Sequence, residues 1–310
     1  MGRSAHAPER RIDCHGHPDG GDLMSHSPIV DTHLHLWDPA KLRYAWLDGN
    51  PVLDQAYLLD RYNEATEGLG VEAMVFLQCE VDPAQYQDEA DWVAELAKVD
   101  PRIKGMVAWA PLEKGRAVAD DLERLARHDI LRGIRRIIQF EPDVDFCLRP
   151  DFIEGVRTLA DFDLSFDICV DQRTMANALK FAAQVPEVPM ILDHIGKPRI
   201  KAGEIEPWAS QMRELAAMPH VVCKISGVAT EADHANWTDD QLKRYVEVAI
   251  DAFGFDRVMF GGDWPVAVQA IEYRRWVGLL DDILASATDA ERQKFWRDNA
   301  VRFYRLEPAR

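Results

Sequence analysis

The sequence predicts a single (β/α)8 barrel, of the TIM type, with an additional C-terminal helix. Three observations lead there. Short β-rich apolar runs alternate eight times with longer amphipathic stretches, the runs show no strict apolar–polar alternation, and nearly all of them end in polar or charged residues. Strands apolar on both faces belong to a parallel sheet covered by helices. Eight such units in roughly 250 residues match the size of a barrel. An open doubly wound sheet is the competing fold, but no glycine-rich phosphate loop follows the first strand.

The elements follow in order. Residues 1–28 are polar, rich in His, Gly, Pro and Asp, without periodicity, and are expected to be a disordered extension. His15 and His17 fall there, outside any strand, and Met24 offers an alternative start of translation. The barrel is expected over 29–310. Its first strand is Ile29-Val30-Asp31-Thr32-His33-Leu34-His35-Leu36-Trp37, where alternation puts His33 and His35 on one face and Leu34 on the other. Asp38 to Asp54 is a long loop holding Tyr44, Trp46 and Leu47, either a cover for a pocket mouth or a segment packed on the barrel. Tyr57 to Leu69 has helical spacing. The later strands are Val71–Cys79, Ile103–Ala110, Gly133–Phe140, Leu164–Val170, Met190–His194, His220–Ile225 and Val258–Gly261. Helices are expected over Pro83–Val99, Arg116–His128, Pro150–Phe162, Met175–Val185, Glu206–Met218 and Gln241–Phe253, with two closing helices, Val268–Ala285 and Asp289–Arg302.

Composition narrows the function. The 310 residues are 47% hydrophobic and 29% charged, enough for a large core. The net charge of -17 disfavours nonspecific binding to nucleic acid or an anionic membrane. The five cysteines, Cys14, Cys79, Cys147, Cys169 and Cys223, form no zinc-ribbon spacing and read as reduced thiols of a cytoplasmic protein. No apolar run approaches the roughly 20 residues that span a bilayer, and residues 1–28 lack the apolar core of a secretory signal.

Barrel sites lie at the C-terminal ends of the strands. There the sequence places His33 and His35, Gln78-Cys79-Glu80, Trp109, the alternating Arg135, Ile137 and Gln139, Asp167 with Cys169, Asp193-His194 ahead of Gly196-Lys197-Pro198, Lys224 with Ser226, and Asp263-Trp264 after two glycines. Some have bland readings. Asp193 serves equally as a cap, Arg136 as a residue of the helix layer, and Lys224 as an interior cation paired with a carboxylate.

His33-Leu34-His35, Leu192-Asp193-His194-Ile195-Gly196-Lys197-Pro198, Cys223-Lys224-Ile225-Ser226-Gly227 and Phe260-Gly261-Gly262-Asp263-Trp264-Pro265 together resemble the amidohydrolase superfamily. More narrowly, they resemble its sugar-lactonase branch of TIM-barrel hydrolases, which includes L-fucono- and L-rhamnono-lactonases. Gly133-Ile134-Arg135-Arg136 through Gln139, followed by Glu141-Pro142-Asp143, is similar to that branch too, and the resemblance spans Ile29 to Tyr304. It departs from the binuclear members: strand four offers no bridging lysine and strand five no histidine. The resemblance therefore implies one divalent metal, zinc by preference, or none. His33, His35 and Asp263 would hold it, joined by Glu80 or His194.

Lactone hydrolysis needs a base for water, a group that polarises the carbonyl, and donors for the ring. Asp263 is the expected base, with His33, His35 and His194 completing the catalytic set. A metal on the histidines would lower the pKa of water; without one, the three histidines and Arg135 are expected to hold the oxyanion. Arg135, Lys224, Gln139 and Glu80 are expected to contact the substrate, and Trp37, Tyr44, Trp46, Trp109 and Trp264 to stack on its ring. The expected partner is a small sugar lactone, and the apolar closing helices offer a face for a homodimer. Three rivals stand beside this reading. A pyrone-dicarboxylate lactonase would ask for several lumen arginines, a metal-dependent decarboxylase for a strand-five histidine, and a sugar-binding barrel for no Asp263 at all.

Overall fold

The computed structural model describes residues 28–306. All eight expected strands form, and they pair in sequence order, each parallel to the next. They are β1 (Ile29–Leu34), β2 (Val71–Leu77), β3 (Ile103–Ala108), β4 (Leu131–Ile134), β5 (Ser165–Ile168), β6 (Met190–Leu192), β7 (Val221–Ile225) and β8 (Val258–Phe260). The eighth strand returns to the first. Leu34 bridges Trp264 in parallel, and the His35 amide donates to the Trp264 carbonyl at 2.8 Å. The sheet is thus a nearly closed barrel.

Helices α1 (Leu59–Thr66), α2 (Tyr86–Val99), α3 (Ala119–Leu125), α4 (Pro150–Arg157), α5 (Met175–Ala182), α6 (Trp208–Ala216), α7 (Asp239–Phe253) and α8 (Tyr273–Ile283) connect and cover the strands, and α9 (Asp289–Gln293) and α10 (Asn299–Phe303) follow. Alternate strand residues serve two apolar layers, as the pleat requires. Leu34, Phe76, Met106 and Phe166 pack outward with Val93, Leu122, Phe152 and Leu242. Val30, Val75, Val107, Ile191 and Met259 form a separate inner cluster with Ala300, Tyr304 and Leu306. Arg305 donates to the carbonyl of Asp163, just ahead of β5. The chain's C-terminal segment therefore plugs the lumen at the end away from the strand C-termini.

Two expectations change. β4 was expected to run from Gly133 to Phe140 but ends at Ile134. Beyond it the amides of Ile138 and Gln139 both turn to one acceptor, the Cys169 carbonyl, at 3.1 Å. A regular ladder does not do this, so the polar alternation of Arg135, Ile137 and Gln139 belongs to a loop. The closing helices also differ. Val277, Leu280, Phe295 and Trp296 are fully or almost fully buried in the core, so the apolar residues that recommended a dimer face are already engaged. No described helix is long and apolar enough to cross a membrane. The extension expected to be disordered, with His15, His17 and Met24, lies outside the described residues apart from Pro28.

Candidate active site

β1 delivers the two histidines through an irregularity. Its register against β2 slips between Asp31 and Leu34. As a result Val30 and His33, three residues apart, both face the lumen, while Asp31 points toward the helices. Asp31 accepts from the His33 amide at 3.0 Å, the Gly262 amide at 2.8 Å, and the hydroxyls of Tyr62 and Tyr273, each at 2.9 Å. Burial raises its pKa above the usual value although these four donors oppose the rise. One buried carboxylate thereby ties β1 to the end of β8 and to α1 and α8. Sequence reasoning missed it; the signal was an aspartate two residues before a histidine in an otherwise apolar strand.

His33 is wholly buried. Its Nε2 accepts from Arg135 Nη1 at 3.1 Å, which leaves the proton on Nδ1, 3.5 Å from Asp193 Oδ1. His35 Nδ1 donates to the Leu77 carbonyl at 2.9 Å, so its Nε2 is a lone pair facing Asp263 Oδ1 at 3.6 Å. His194 Nδ1 lies 3.0 Å from Ser226 Oγ. Burial holds all three imidazoles below the usual histidine range, with the Lys224 charge adding to the effect at His33 and His33 itself adding to it at His194. The cluster is neutral at neutral pH.

Below it lies a charged network. Arg135 Nη1 reaches Asp193 Oδ2 at 3.2 Å and Nη2 donates to the Gln78 carbonyl at 2.6 Å. Lys224 bridges Asp193 at 3.0 Å and Asp167 at 2.5 Å. Burial pushes the Asp193 carboxyl up, but the Lys224 and Arg135 cations outweigh it and hold Asp193 below the usual range. Asp193 is therefore an anion in the lumen wall and not a helix cap.

A cavity of about 320 Å³ opens above the cluster. That volume suits a small molecule of monosaccharide size. His35, His194, Asp263, Arg135, Gln139 and Glu80 line it as the sequence led us to expect, and His33 lies beneath them. Five expected contacts do not reach it. Lys224 is fully buried between its two carboxylates. Trp37 is buried, its Nε1 donating to the carbonyls of Leu53 and Gln55. Tyr44 is buried with its hydroxyl toward Glu89. Trp264 packs among Tyr57 and Tyr62, and Trp109 stacks on Tyr86. Each aromatic serves the wall behind the cavity; Trp46 and Phe140 reach its mouth instead, 41% and 67% exposed. Lys197, Cys79, Cys169 and Ile137 also line it; the sequence placed them at the strand ends without assigning them a role. For Lys197 the signal was present, because it stands in the same glycine- and proline-bounded turn as His194.

Glu80, His194, Lys197 and Asp263 share one backbone property: positive φ, at 52°, 52°, 49° and 51°. Left-handed backbone is uncommon for such residues and collects at functional sites. Here it turns each side chain from the strand end back over the lumen.

Among the described residues, two sets of side chains offer ligand atoms within 4.8 Å of one another: His33, His35 and Asp263, and His33, Asp193 and His194. Two imidazoles and a carboxylate suit zinc. The His35 lone pair and the Asp263 oxygen, 3.6 Å apart and too distant to hydrogen-bond, fit an ion between them. An ion on His33 Nε2 takes the place of the Arg135 contact there. Glu80 belongs to neither set and accepts from Gln78 Nε2 at 2.8 Å.

The amidohydrolase family model matches residues 30–306. An L-fucono-1,5-lactonase of Burkholderia multivorans is 35% identical over 295 residues, covering 90% of this chain and 97% of the relative. An L-rhamnono-gamma-lactonase of Scheffersomyces stipitis is 23% identical over 341 residues, covering 91% of this chain and all of the relative, 100%. A crystal structure of an amidohydrolase from Burkholderia multivorans with bound zinc superimposes with a TM-score of 0.82 at 32% identity, covering 91% of this chain and 100% of that one. By sequence, barrel and strand-end histidines alike, the chain belongs to the amidohydrolase family.

Proposed function

We propose that the chain hydrolyses a sugar lactone, opening the ester ring by attack of water with Asp263 as general base. The observation that carries this reading is the company Asp263 keeps. Its side chain is 4% exposed and faces the cavity, and its salt-bridge-range neighbours among the described residues are the imidazoles of His33, His35 and His194, at 3.8, 3.6 and 4.0 Å. Among the described residues no arginine or lysine lies within salt-bridge range of it. Such a carboxylate is free to take a proton from water held over the cluster.

In the step, the water oxygen bonds to the lactone carbonyl carbon and its proton passes to Asp263. The carbonyl π pair moves onto oxygen. On collapse the ring C–O bond breaks, and Asp263 returns the proton to the departing ring oxygen. Trp46 and Phe140 offer apolar faces to the ring, while Gln139 and Glu80 offer partners for its hydroxyls. His33, His35 and Asp263 would hold a divalent ion, zinc by preference, as the Burkholderia structure's zinc supports. Such an ion polarises a carbonyl and acidifies water when bound. A dianionic pyrone substrate fits less well, because Arg135 and Lys197 are the cavity's cations and Glu80 and Asp263 oppose them. Buried free thiols at Cys79, Cys147, Cys169 and Cys223 accord with the reducing cytoplasm, where we place the enzyme.

The test is a panel including L-fucono- and L-rhamnono-lactones, followed by acid release in weak buffer with and without chelator. Wild type should release acid, and Asp263→Asn should lower turnover by a factor on the order of 10² or more with the fold intact. Turnover by Asp263→Asn near wild type would remove Asp263 from the base role. Alkalinisation with gas release would indicate decarboxylation instead.

A further inference from the structure

We propose that the Lys197 ammonium holds the lactone carbonyl oxygen as it becomes an oxyanion, and holds the product carboxylate after ring opening, with Glu231 aiming it. This rests on the lactonase reading above.

The first argument is by elimination among the donors of the site. Arg135 Nη1 is engaged by His33 and Asp193, and Nη2 by the Gln78 carbonyl. Lys224 is sealed between Asp167 and Asp193. His35 turns its N–H to the Leu77 carbonyl and offers the cavity a lone pair. His33 turns its N–H toward Asp193. The N–H groups of His33 and His35 thus turn away from the cavity, and His194 contacts Ser226 through Nδ1. Lys197 is different. Its side chain, 18% exposed, opens onto the cavity, and its ion partner, Glu231 Oε1, is 3.7 Å away, beyond hydrogen-bond length. Three N–H donors of a cation are therefore free to meet a ligand.

The second argument is the backbone. His194, Ile195, Gly196 and Lys197 have φ of 52°, 49°, 72° and 49°, a left-handed run in which three of the residues are not glycine. The Lys197 amide closes the run on the His194 carbonyl at 3.0 Å. Tight curling of this kind brings residue 197 back beside residue 194, so one turn supplies both an imidazole and an ammonium to the same cavity. Left-handed backbone at non-glycine residues costs energy and persists where packing enforces it.

The third is charge. Burial works against the ammonium, yet Cys169, Glu231 and Asp263 around it hold its pKa above the ordinary lysine value. Lactone hydrolysis converts a neutral substrate into an anion beside Asp263 and Glu80, in a protein of net charge -17. A largely buried cation offsets that repulsion and stabilises negative charge as it grows on oxygen. Lys197 keeps its three protons throughout; the proton that moves travels from water to Asp263 and on to the ring oxygen.

The experiment measures lactone turnover and, separately, equilibrium binding of L-fuconate by calorimetry, for wild type, Lys197→Met, Lys197→Gln and Glu231→Gln. Lys197→Met should lower kcat/KM by a factor on the order of 10²–10³, the range for loss of an oxyanion donor, and should weaken fuconate binding at least tenfold. Lys197→Gln keeps an N–H donor, uncharged and on a shorter side chain, and should fall between the two; it also stands in if Lys197→Met does not fold. Glu231→Gln should lower kcat while leaving KM within threefold, the mark of a positioning residue. Turnover and fuconate affinity of Lys197→Met within twofold of wild type would overturn the assignment. If wild type opens no lactone but binds fuconate, the lactonase reading fails while the binding series still tests Lys197. Fuconate binding unchanged in Lys197→Met then overturns it.

Discussion

At Gly227 a single missing carbon decides whether the site can assemble. Its φ is 59°, and a Cβ there would stand 2.5 Å from His194 Nδ1 and 2.7 Å from Asp263 Oδ2. Glycine is required twice over, for the left-handed backbone and for the approach of base and imidazole. Gly227→Ala should cost about 1–2 kcal/mol of stability from the backbone alone. It should lower kcat by a factor on the order of 10², because displacing a reacting group by about 1 Å costs that much. Urea unfolding and lactone kinetics on one preparation separate the two effects; unchanged kcat would show that the base tolerates the displacement. At this scale the sequence was informative about chemistry and poor about exposure. His33, His35, His194 and Asp263 were legible because imidazoles and a carboxylate at apolar strand ends have few structural uses. Trp37, Tyr44 and Trp264 were misjudged because an aromatic suits a buried wall and a sugar platform equally. Only the packing distinguishes them, and it buries these three and leaves Trp46 exposed.

Elements were legible wherever apolar runs were continuous, as in β2 and β7, since burial on both faces leaves an unmistakable pattern. β4 was overextended because Arg135, Ile137 and Gln139 alternate as a strand would while lying in a loop that faces the cavity. The contact of α2 with β2 was not legible at all. Glu89, 1% exposed on α2, accepts from the Cys79 amide at 3.1 Å and meets the Tyr44 hydroxyl, so a helix side chain props the strand end that carries Cys79 and Glu80. Burial raises the Glu89 pKa from 4.5 to about 8. Between those values the folded protein binds more protons than the unfolded chain, so this group's contribution to stability is complete below 4.5 and declines as pH rises toward about 8. Glu89→Gln keeps an acceptor for Cys79 and removes the titration. Thermal unfolding from pH 5 to pH 9 should show a shallower decline for the variant than for wild type, with the variant the more stable at the alkaline end. Parallel curves would mean that Glu89 titrates alike in both states.

Seen whole, the barrel is filled from two ends, and a polar column through the lumen joins them. At one end α10 and the residues after it insert Ala300, Tyr304 and Leu306 among Val30, Val75, Val107, Ile191 and Met259. At the other lie Arg135 and the imidazoles. Between them the Tyr304 hydroxyl donates to Asp167 at 3.0 Å, Lys224 bridges Asp167 and Asp193, and Asp193 meets Arg135. The column raises the question of whether the plug serves stability or the reaction. Asp193 retains both cations when Tyr304 loses its hydroxyl, so the site's geometry should survive. Asp167 loses one of its two donors in a place water does not reach, and that loss is felt by the fold. Tyr304→Phe should therefore cost about 1–3 kcal/mol, the penalty for a buried polar group left short of a partner. Tyr304→Ala, which adds a cavity in the plug, should cost about 3–5 kcal/mol. In both, kcat/KM measured well below the unfolding temperature should stay within a few-fold of wild type. A loss in Tyr304→Phe approaching that of Asp263→Asn would instead mean that the column transmits position from the plug to Arg135, making the barrel's far end part of its catalytic machinery.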